Sequence, residues 1–424
     1  MKAGAILVYG AGQLGLMLMV RFFFQWLIRF CDVGKETSAG PLLAAATVGM
    51  IFFAFRIFDG ITDPLAGILA DRWVGAGKER RALLFRSFAL PALGLALVFS
   101  PNETMAPPLR YSLVTLGMLL FFLGYTFYAI PYWSLVDDYS GGDDQRRTAL
   151  SNIQGVGVLL ATGLGFVLSP ALVENLGFFW SALIFAAVGT SLMTLPYFAS
   201  PADASPSTAP LPSLRQGLAD CVNHKRFLAV IVLYAGAQMS LTIMTAAAPF
   251  IAERLLGGSL KDVALLLGPF LLTAILTFSA VPRVARRLGW ERATLGGTLA
   301  LAIAYLGAGL LGQAWIGSKM TTAMLVFACA GPGCAFILGL EGEAIARCAQ
   351  LGPSKSTSAY FGIFNFVVKA LNGFALFATG ILAEEGSQWS VRAMPMLAGV
   401  LCLLGVGLYL TFDKSDPEPR GATS

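Results

Sequence analysis

The run FRIFDGITDPLAGILADR, residues 55–72, closes an apolar segment that begins near residue 40 and carries Arg56, Asp59 and Asp63 close to its middle. A charged side chain at bilayer depth costs roughly 2.5–3.5 kcal/mol on insertion scales, so such residues face a cavity, pair with one another and mark an ion or substrate path. Asp59 and Asp63 stand four apart, which puts both carboxylates on one helix face a turn from each other. Arg56, three before Asp59, shares that face. Two acids and a base therefore occupy one small polar site.

Composition places that site in a membrane. Of 424 residues, 56% are hydrophobic and 12% charged, against about 25% charged in an ordinary soluble domain. Twelve apolar spans are predicted, near 5–30, 40–69, 82–100, 111–136, 149–171, 178–198, 227–252, 262–281, 292–314, 320–346, 357–382 and 391–412. Most exceed the roughly 18 residues that a bilayer requires. The expected class is an all-α integral membrane protein with no room for a soluble domain. A polar, Pro-rich stretch divides the chain into a six-helix bundle at 1–199, a cytoplasmic linker at 200–224, a second six-helix bundle at 225–413 and a cytoplasmic tail at 414–424.

Basic residues cluster in alternate loops: Arg72, Lys78, Arg80, Arg81 and Arg86; Arg146 and Arg147; Lys225 and Arg226; Arg283, Arg286, Arg287 and Arg292. Loops rich in Lys and Arg stay on the cytoplasmic side, so both termini are expected in the cytoplasm, with the chain in the bacterial inner membrane. This bias explains the net charge of +5 without a nucleic-acid partner. The first apolar run has no small-residue cleavage pattern before Arg21 and reads as a span, not as a signal peptide.

Other patterns are set aside. Gly10, Gly12 and Gly15 spell GxGxxG with Asp32 twenty residues past Gly12, yet no strand precedes them and the following FFFQWLI is an apolar helix, so they read as helix-packing glycines. The six cysteines form no CxxC pair, and His224 reads as a solvated loop residue. No HExxH or GxSxG motif is present, and neither an enzyme nor a cofactor is expected.

RxxDxxTDPxxG at Arg56–Gly67 resembles the signature of the glycoside, pentoside and hexuronide cation symporters, melibiose carriers included, within the major facilitator superfamily. Three further stretches are similar to that family: Tyr125 and Thr126 with Ile130–Leu135, the basic Arg146–Thr148, and SAYFGIFNFVVKALNGFA with its intramembrane Lys369. Gly67, Asp71 and Arg72, followed by Lys78, Arg80 and Arg81, resemble the superfamily's cytoplasmic loop motif and are expected at a cytoplasmic gate.

The resemblance implies a major facilitator fold and alternating access, with a solute moved together with Na⁺, Li⁺ or H⁺. Asp59, Thr62, Asp63 and Thr126 are the expected cation ligands, with Arg56 and Lys369 as their charge partners. The galactoside carriers' substrate acids fall at Met17 and Ala129 and their fifth-helix arginine at Gln154, so a disaccharide galactoside is not expected. Candidate substrate residues are Arg21, Gln25, Tyr128, Trp133, Gln154, Asn365 and Asn372. Arg21 suits an anionic ligand or a structural partner, and Trp133 suits stacking or packing. Symport of a glycoside or uronide by a functional monomer in contact with membrane lipid is expected. The alternatives are a lysolipid carrier and a non-transporting assembly factor on the same fold.

Overall fold

The computed structural model describes residues 3–34, 40–140, 143–199, 223–313, 316–351 and 357–413. The linker expected at 200–224, apart from its last two residues, and the tail at 414–424 lie outside the described residues. The chain runs through α1 (Ala3–Cys31), α2 (Ala45–Gly75), α3 (Arg81–Ser87), α4 (Ala89–Val98), α5 (Pro107–Ser140) and α6 (Asp144–Thr194). It continues with α7 (Lys225–Phe250), which ends in a π-helical turn at Ile251–Leu255, then α8 (Val263–Phe278), α9 (Val281–Leu288), α10 (Trp290–Ala308), α11 (Lys319–Leu351), α12 (Thr357–Glu385) and α13 (Gln388–Asp413).

Ten described helical stretches are long and apolar enough to cross a bilayer, with α3 and α4 together forming one. Those two are offset at Phe88, where Pro91 has no N–H to offer the carbonyl of Ser87. Another of the ten, Asn152–Phe198, is 47 residues long, more than twice the ~20 residues of one crossing. It breaks at Gly177, whose φ of 78° and ψ of 172° suit glycine alone among the residues. The two arms lie side by side. A Cβ on Gly157 would stand 3.1 Å from the Leu14 nitrogen, and one on Gly189 would stand 2.8 Å from the Gly15 carbonyl oxygen, so both arms pass the same turn of α1. With that reversal, and with the 19-residue α10 packed on α11 and α13, each of the twelve expected spans has a helix.

Lipid gives helices no hydrophobic reason to associate, so small residues that admit close backbones carry the packing. The three glycines of the GxGxxG pattern have this role: Gly10 faces Ile153, Gly12 faces Tyr128, Tyr132 and Pro196, and Gly15 faces Gly189. Gly15→Val places two methyls where α6 backbone lies, beyond the roughly 1–3 kcal/mol that ordinary overpacking costs. The expected result is loss of the monodisperse peak in size-exclusion chromatography, whereas Gly4→Val, which meets no atom within 4 Å, should elute as wild type.

Helices α1–α6 form one half and α7–α13 the other. They meet along α2 with α12, α6 with α8, and α1 with α7. At the end where α1 finishes, polar pairs tie the halves together. Arg29 donates to Glu253 through Nε at 2.6 Å and Nη2 at 3.0 Å, and Arg254 pairs with Asp32. The Ala46 amide donates to Glu384 at 2.9 Å, and the Lys261 amide donates to Glu174 at 3.3 Å. Apolar packing seals the same end, where a Cβ on Gly49 would stand 2.8 Å from the Cα of Phe377. At the opposite end, described pairs stay within one half: Arg80 with Asp138 at 2.7 Å and Arg226 with Glu291; deeper in the second half Gln238 donates to Glu341 at 2.7 Å.

His224 differs from its expected solvated state. It is half-buried, with Nδ1 2.9 Å from the Tyr360 hydroxyl, because the start of α7 packs against α12.

Candidate functional site

Midway along the bundle, α2, α5 and α12 bring Arg56, Asp59, Asp63, Thr126 and Lys369 into one cluster. The four-residue spacing on α2 stacks the two carboxylates as the sequence implies. Lys369 of α12 reaches them from the other half, pairing with Asp63 and standing 3.1 Å from Asp59. Arg56 Nη1 donates to Asp59 at 2.6 Å, and its guanidinium lies 5.5 Å from the Phe24 ring centroid and 5.4 Å from that of Phe122. This aromatic sandwich holds the cation in a dry setting where its attraction to Asp59 is strong. Close approach of the halves depends on Gly373, where a Cβ would stand 2.9 Å from that of Arg56.

Thr126 links the two acids. Its Oγ1 lies 2.6 Å from Asp59 and 3.2 Å from Asp63. A hydroxyl has a single proton to donate, so it serves Asp59 and leaves the Asp63 oxygen beside a lone pair. The result is a set of oxygens, four from carboxylates and one from a hydroxyl, with an ammonium lodged among them. Asp59 is wholly buried, while the Asp63 side chain keeps 20% of its surface. Thr62 does not join this set, because its hydroxyl donates to the Asp59 backbone carbonyl at 3.0 Å, the usual outlet for a threonine inside a helix.

Six of the seven expected substrate residues fall into two groups. Tyr128, Trp133 and Gln154 belong to a closed network between α1, α5 and α6. Tyr128 donates to the Met193 carbonyl at 2.7 Å, Trp133 to Gln13 at 2.9 Å and Gln154 to the Tyr9 hydroxyl at 2.6 Å. Tyr9 and Tyr132 stack at 4.8 Å and exchange hydroxyl-to-carbonyl bonds of 3.1 and 2.8 Å. Arg21, Gln25 and Asn372 form the second group, each with a buried polar atom that has no hydrogen-bond partner. Asn365 is exposed on α12. At the expected gate, Gly67 faces Ile130 and Arg72 is exposed, while the side chain of Asp71 lies outside the described residues.

Tyr125 belongs to the site and was not among the expected site residues. Lys369 Nζ lies 5.5 Å from its ring centroid, and it is within electrostatic reach of Arg21, Arg56, Asp59 and Asp63. Its adjacency to Thr126 was the available signal. Phe24 and Phe122 carried none, as two of 31 phenylalanines in an apolar chain.

A two-half helical bundle with a buried charge cluster at its midplane defines a secondary transporter of the major facilitator type. Solved transporters share the architecture. A bacterial homologue of the human lysosomal transporter Spinster superposes with a TM-score of 0.72 at 14% identity over 99% of this chain and all of that one. The nucleoside transporter NupG, as its D323A mutant, gives 0.66 at 14% identity over 97% of this chain and 100% of its own. The profile of the family described as MFS/sugar transport protein matches residues 8–386, and the chain belongs to that family. Among named relatives, the uncharacterized symporter YjmB of Bacillus subtilis is 31% identical over 172 residues, 40% of this chain and 35% of YjmB. The putative glycoside/cation symporter YagG of Escherichia coli is 26% identical over 164 residues, 37% of this chain and 35% of YagG. The matched stretches thus span about a third of either relative.

Proposed function

We propose that the protein is a symporter that couples entry of a small cation, Na⁺ or H⁺, to movement of a glycoside- or uronide-type solute by alternating access in the bacterial inner membrane. The observation that carries this reading is the position of Lys369. Its ammonium lies among carboxylate and hydroxyl oxygens of the hard type that a small cation prefers, and it comes from the opposite half of the molecule. A cation entering that cage competes with Lys369 for Asp59 and Asp63. Releasing the lysine removes the midplane tie between α2 and α12, so cation occupancy changes how the halves are held. Arg56 stays with Asp59 and keeps one acid in place. The names of the symporter relatives support the same reading.

On this reading both termini are cytoplasmic, so the end closed by Arg29–Glu253 and Arg254–Asp32 is taken as the outer gate. The experiment is solute uptake by proteoliposomes under an inward Na⁺ gradient, an inward H⁺ gradient, or neither. Accumulation above the equilibrium ratio with one of the two gradients is the expected result. Equal uptake without a gradient removes the coupling and leaves a facilitator.

A further inference from the structure

We propose, on the basis of the symport reading above, that the transported solute is a polyhydroxy acid or sugar phosphate whose oxyanion is held by Arg21. Among the described residues, Arg21, Arg56 and Lys369 lie around two carboxylates, Asp59 and Asp63, while a third interior carboxylate, Glu341, is engaged by Gln238 of its own half. Asp59 and Asp63 are already engaged by Arg56 and Lys369. Arg21 makes no hydrogen bond or ion pair among the described residues, and its Nε is buried without an acceptor. Among the described residues, the titratable side chains beside it are Tyr125 and Cys334, neither of them a carboxylate. Its stem lies against Gly165 of α6, where even a Cβ would come within 2.9 Å, so this contact brings it no acid. Arg21 is half-buried, and a cation held at membrane depth with no counter-ion is a costly arrangement for a membrane protein.

Gln25 is the second, independent observation. It lies one turn beyond Arg21 on the same face of α1, is 0% exposed, and neither its Nε2 nor its Oε1 has a partner. Asn372, one turn from Lys369 on α12, adds a buried Oδ1 without a donor. The unmet donors, Arg21 Nε and Gln25 Nε2, suit an oxyanion. The unmet acceptors, Gln25 Oε1 and Asn372 Oδ1, suit hydroxyl groups. A solute with an oxyanion and adjacent hydroxyls meets both demands, whereas a neutral sugar leaves the charge of Arg21 uncompensated.

This charge balance also supplies a coupling mechanism. A cation entering alone adds positive charge beside the unpaired Arg21, and an anion bound at Arg21 offsets it. Each therefore favours the other, and the effect is reciprocal by linkage.

The test is thermal stability of the purified full-length protein, wild type, Arg21→Gln and Arg21→Lys. It is measured against sugar acids, sugar phosphates, the parent neutral sugars and lysophosphatidate, each in Na⁺ and in K⁺. At least one sugar acid or sugar phosphate should stabilise wild type while its parent sugar does not, and this ligand identifies which oxyanion is used. Its apparent affinity should fall tenfold or more in Arg21→Gln. Arg21→Lys, which keeps the charge and loses the planar fork, should fall between. Without ligand, Arg21→Gln should melt at or above wild type, because an uncompensated charge is gone; a structural arginine gives the opposite sign. Stabilisation by neutral sugars equal to that by their acids overturns the inference and leaves symport standing, as does anion binding unchanged in Arg21→Gln. Stabilisation by lysophosphatidate alone overturns it in favour of a lipid carrier. A panel in which nothing stabilises in either cation takes down the symport reading as well.

Discussion

Asp63→Asn should give a protein that folds, melts close to wild type and no longer concentrates its solute. The two acids look equivalent in sequence and are not equivalent in their surroundings. Asp59 is wholly buried and is the carboxylate held by Arg56 at 2.6 Å, whereas Asp63 keeps 20% of its side-chain surface and, among the described residues, has Lys369 as its one ion-pair partner. Replacing Asp63 leaves Lys369 a carboxylate 3.1 Å away, so no cation is stranded and the expected loss of stability is about 1–2 kcal/mol. Replacing Asp59 strands Arg56 between Phe24 and Phe122, and breaking a buried pair in this way costs about 3–5 kcal/mol. Asp63→Asn is therefore the cleaner test of coupling. It removes half the formal charge of the cation cage while the packing stays intact. The accumulation ratio in proteoliposomes should fall to the equilibrium value with downhill exchange retained, and melting temperature measured in parallel separates this loss from misfolding. Accumulation equal to wild type would mean that the acids and Lys369 form a static pin between α2 and α12.

Much of this site was legible because intramembrane charge is rare and helical spacing is strict. Arg56, Asp59 and Asp63 stand out in an apolar run, and their separations of three and four residues fix their common face. Lys369 was legible only through resemblance, since no local pattern says which residue 306 positions away will meet Asp63. What stayed hidden depended on partners from other helices. Tyr128, Trp133 and Gln154 are polar residues of helices that border the site, yet partners on α1 and α6 take up their hydrogen-bonding groups. Thr62 sits between the two acids in sequence, but a helix turns its hydroxyl back onto its own backbone. The GxGxxG stretch could be read as packing because no strand precedes it, although Gly189 as the partner of Gly15 emerges only in three dimensions. The reversal between the spans expected at 149–171 and 178–198 was legible, but not that Gly177, one glycine among 47, carries it through a positive φ.

Arg29→Glu should open the end of the molecule where α1 finishes. Two reciprocal pairs close that end. At the end of α1 a base precedes an acid, Arg29 in the last turn and Asp32 just past it; on the π-helical turn after α7 an acid precedes a base, Glu253 and Arg254. The alternation permits one register, and shifting either helix by a turn sets like charges against each other. The side chains are only 18% and 25% exposed in the Arg29–Glu253 pair, so water screens them weakly and the bidentate geometry counts. Turning this attraction into repulsion should shift the balance between closed and open arrangements by roughly 2–3 kcal/mol, about 30- to 150-fold in population. Spin labels at Thr104, in the exposed loop before α5, and at Lys261, before α8, report the separation of the halves at this end. Wild type should give one short distance and Arg29→Glu a dominant longer one. Adding Glu253→Arg should restore the short distance, a rescue that a folding defect cannot produce. If Arg29→Glu leaves the distance unchanged, the packing of Gly49 on Phe377 and of Gly380 on Ala45 holds the end shut by itself, and the ion pairs set register without controlling the opening.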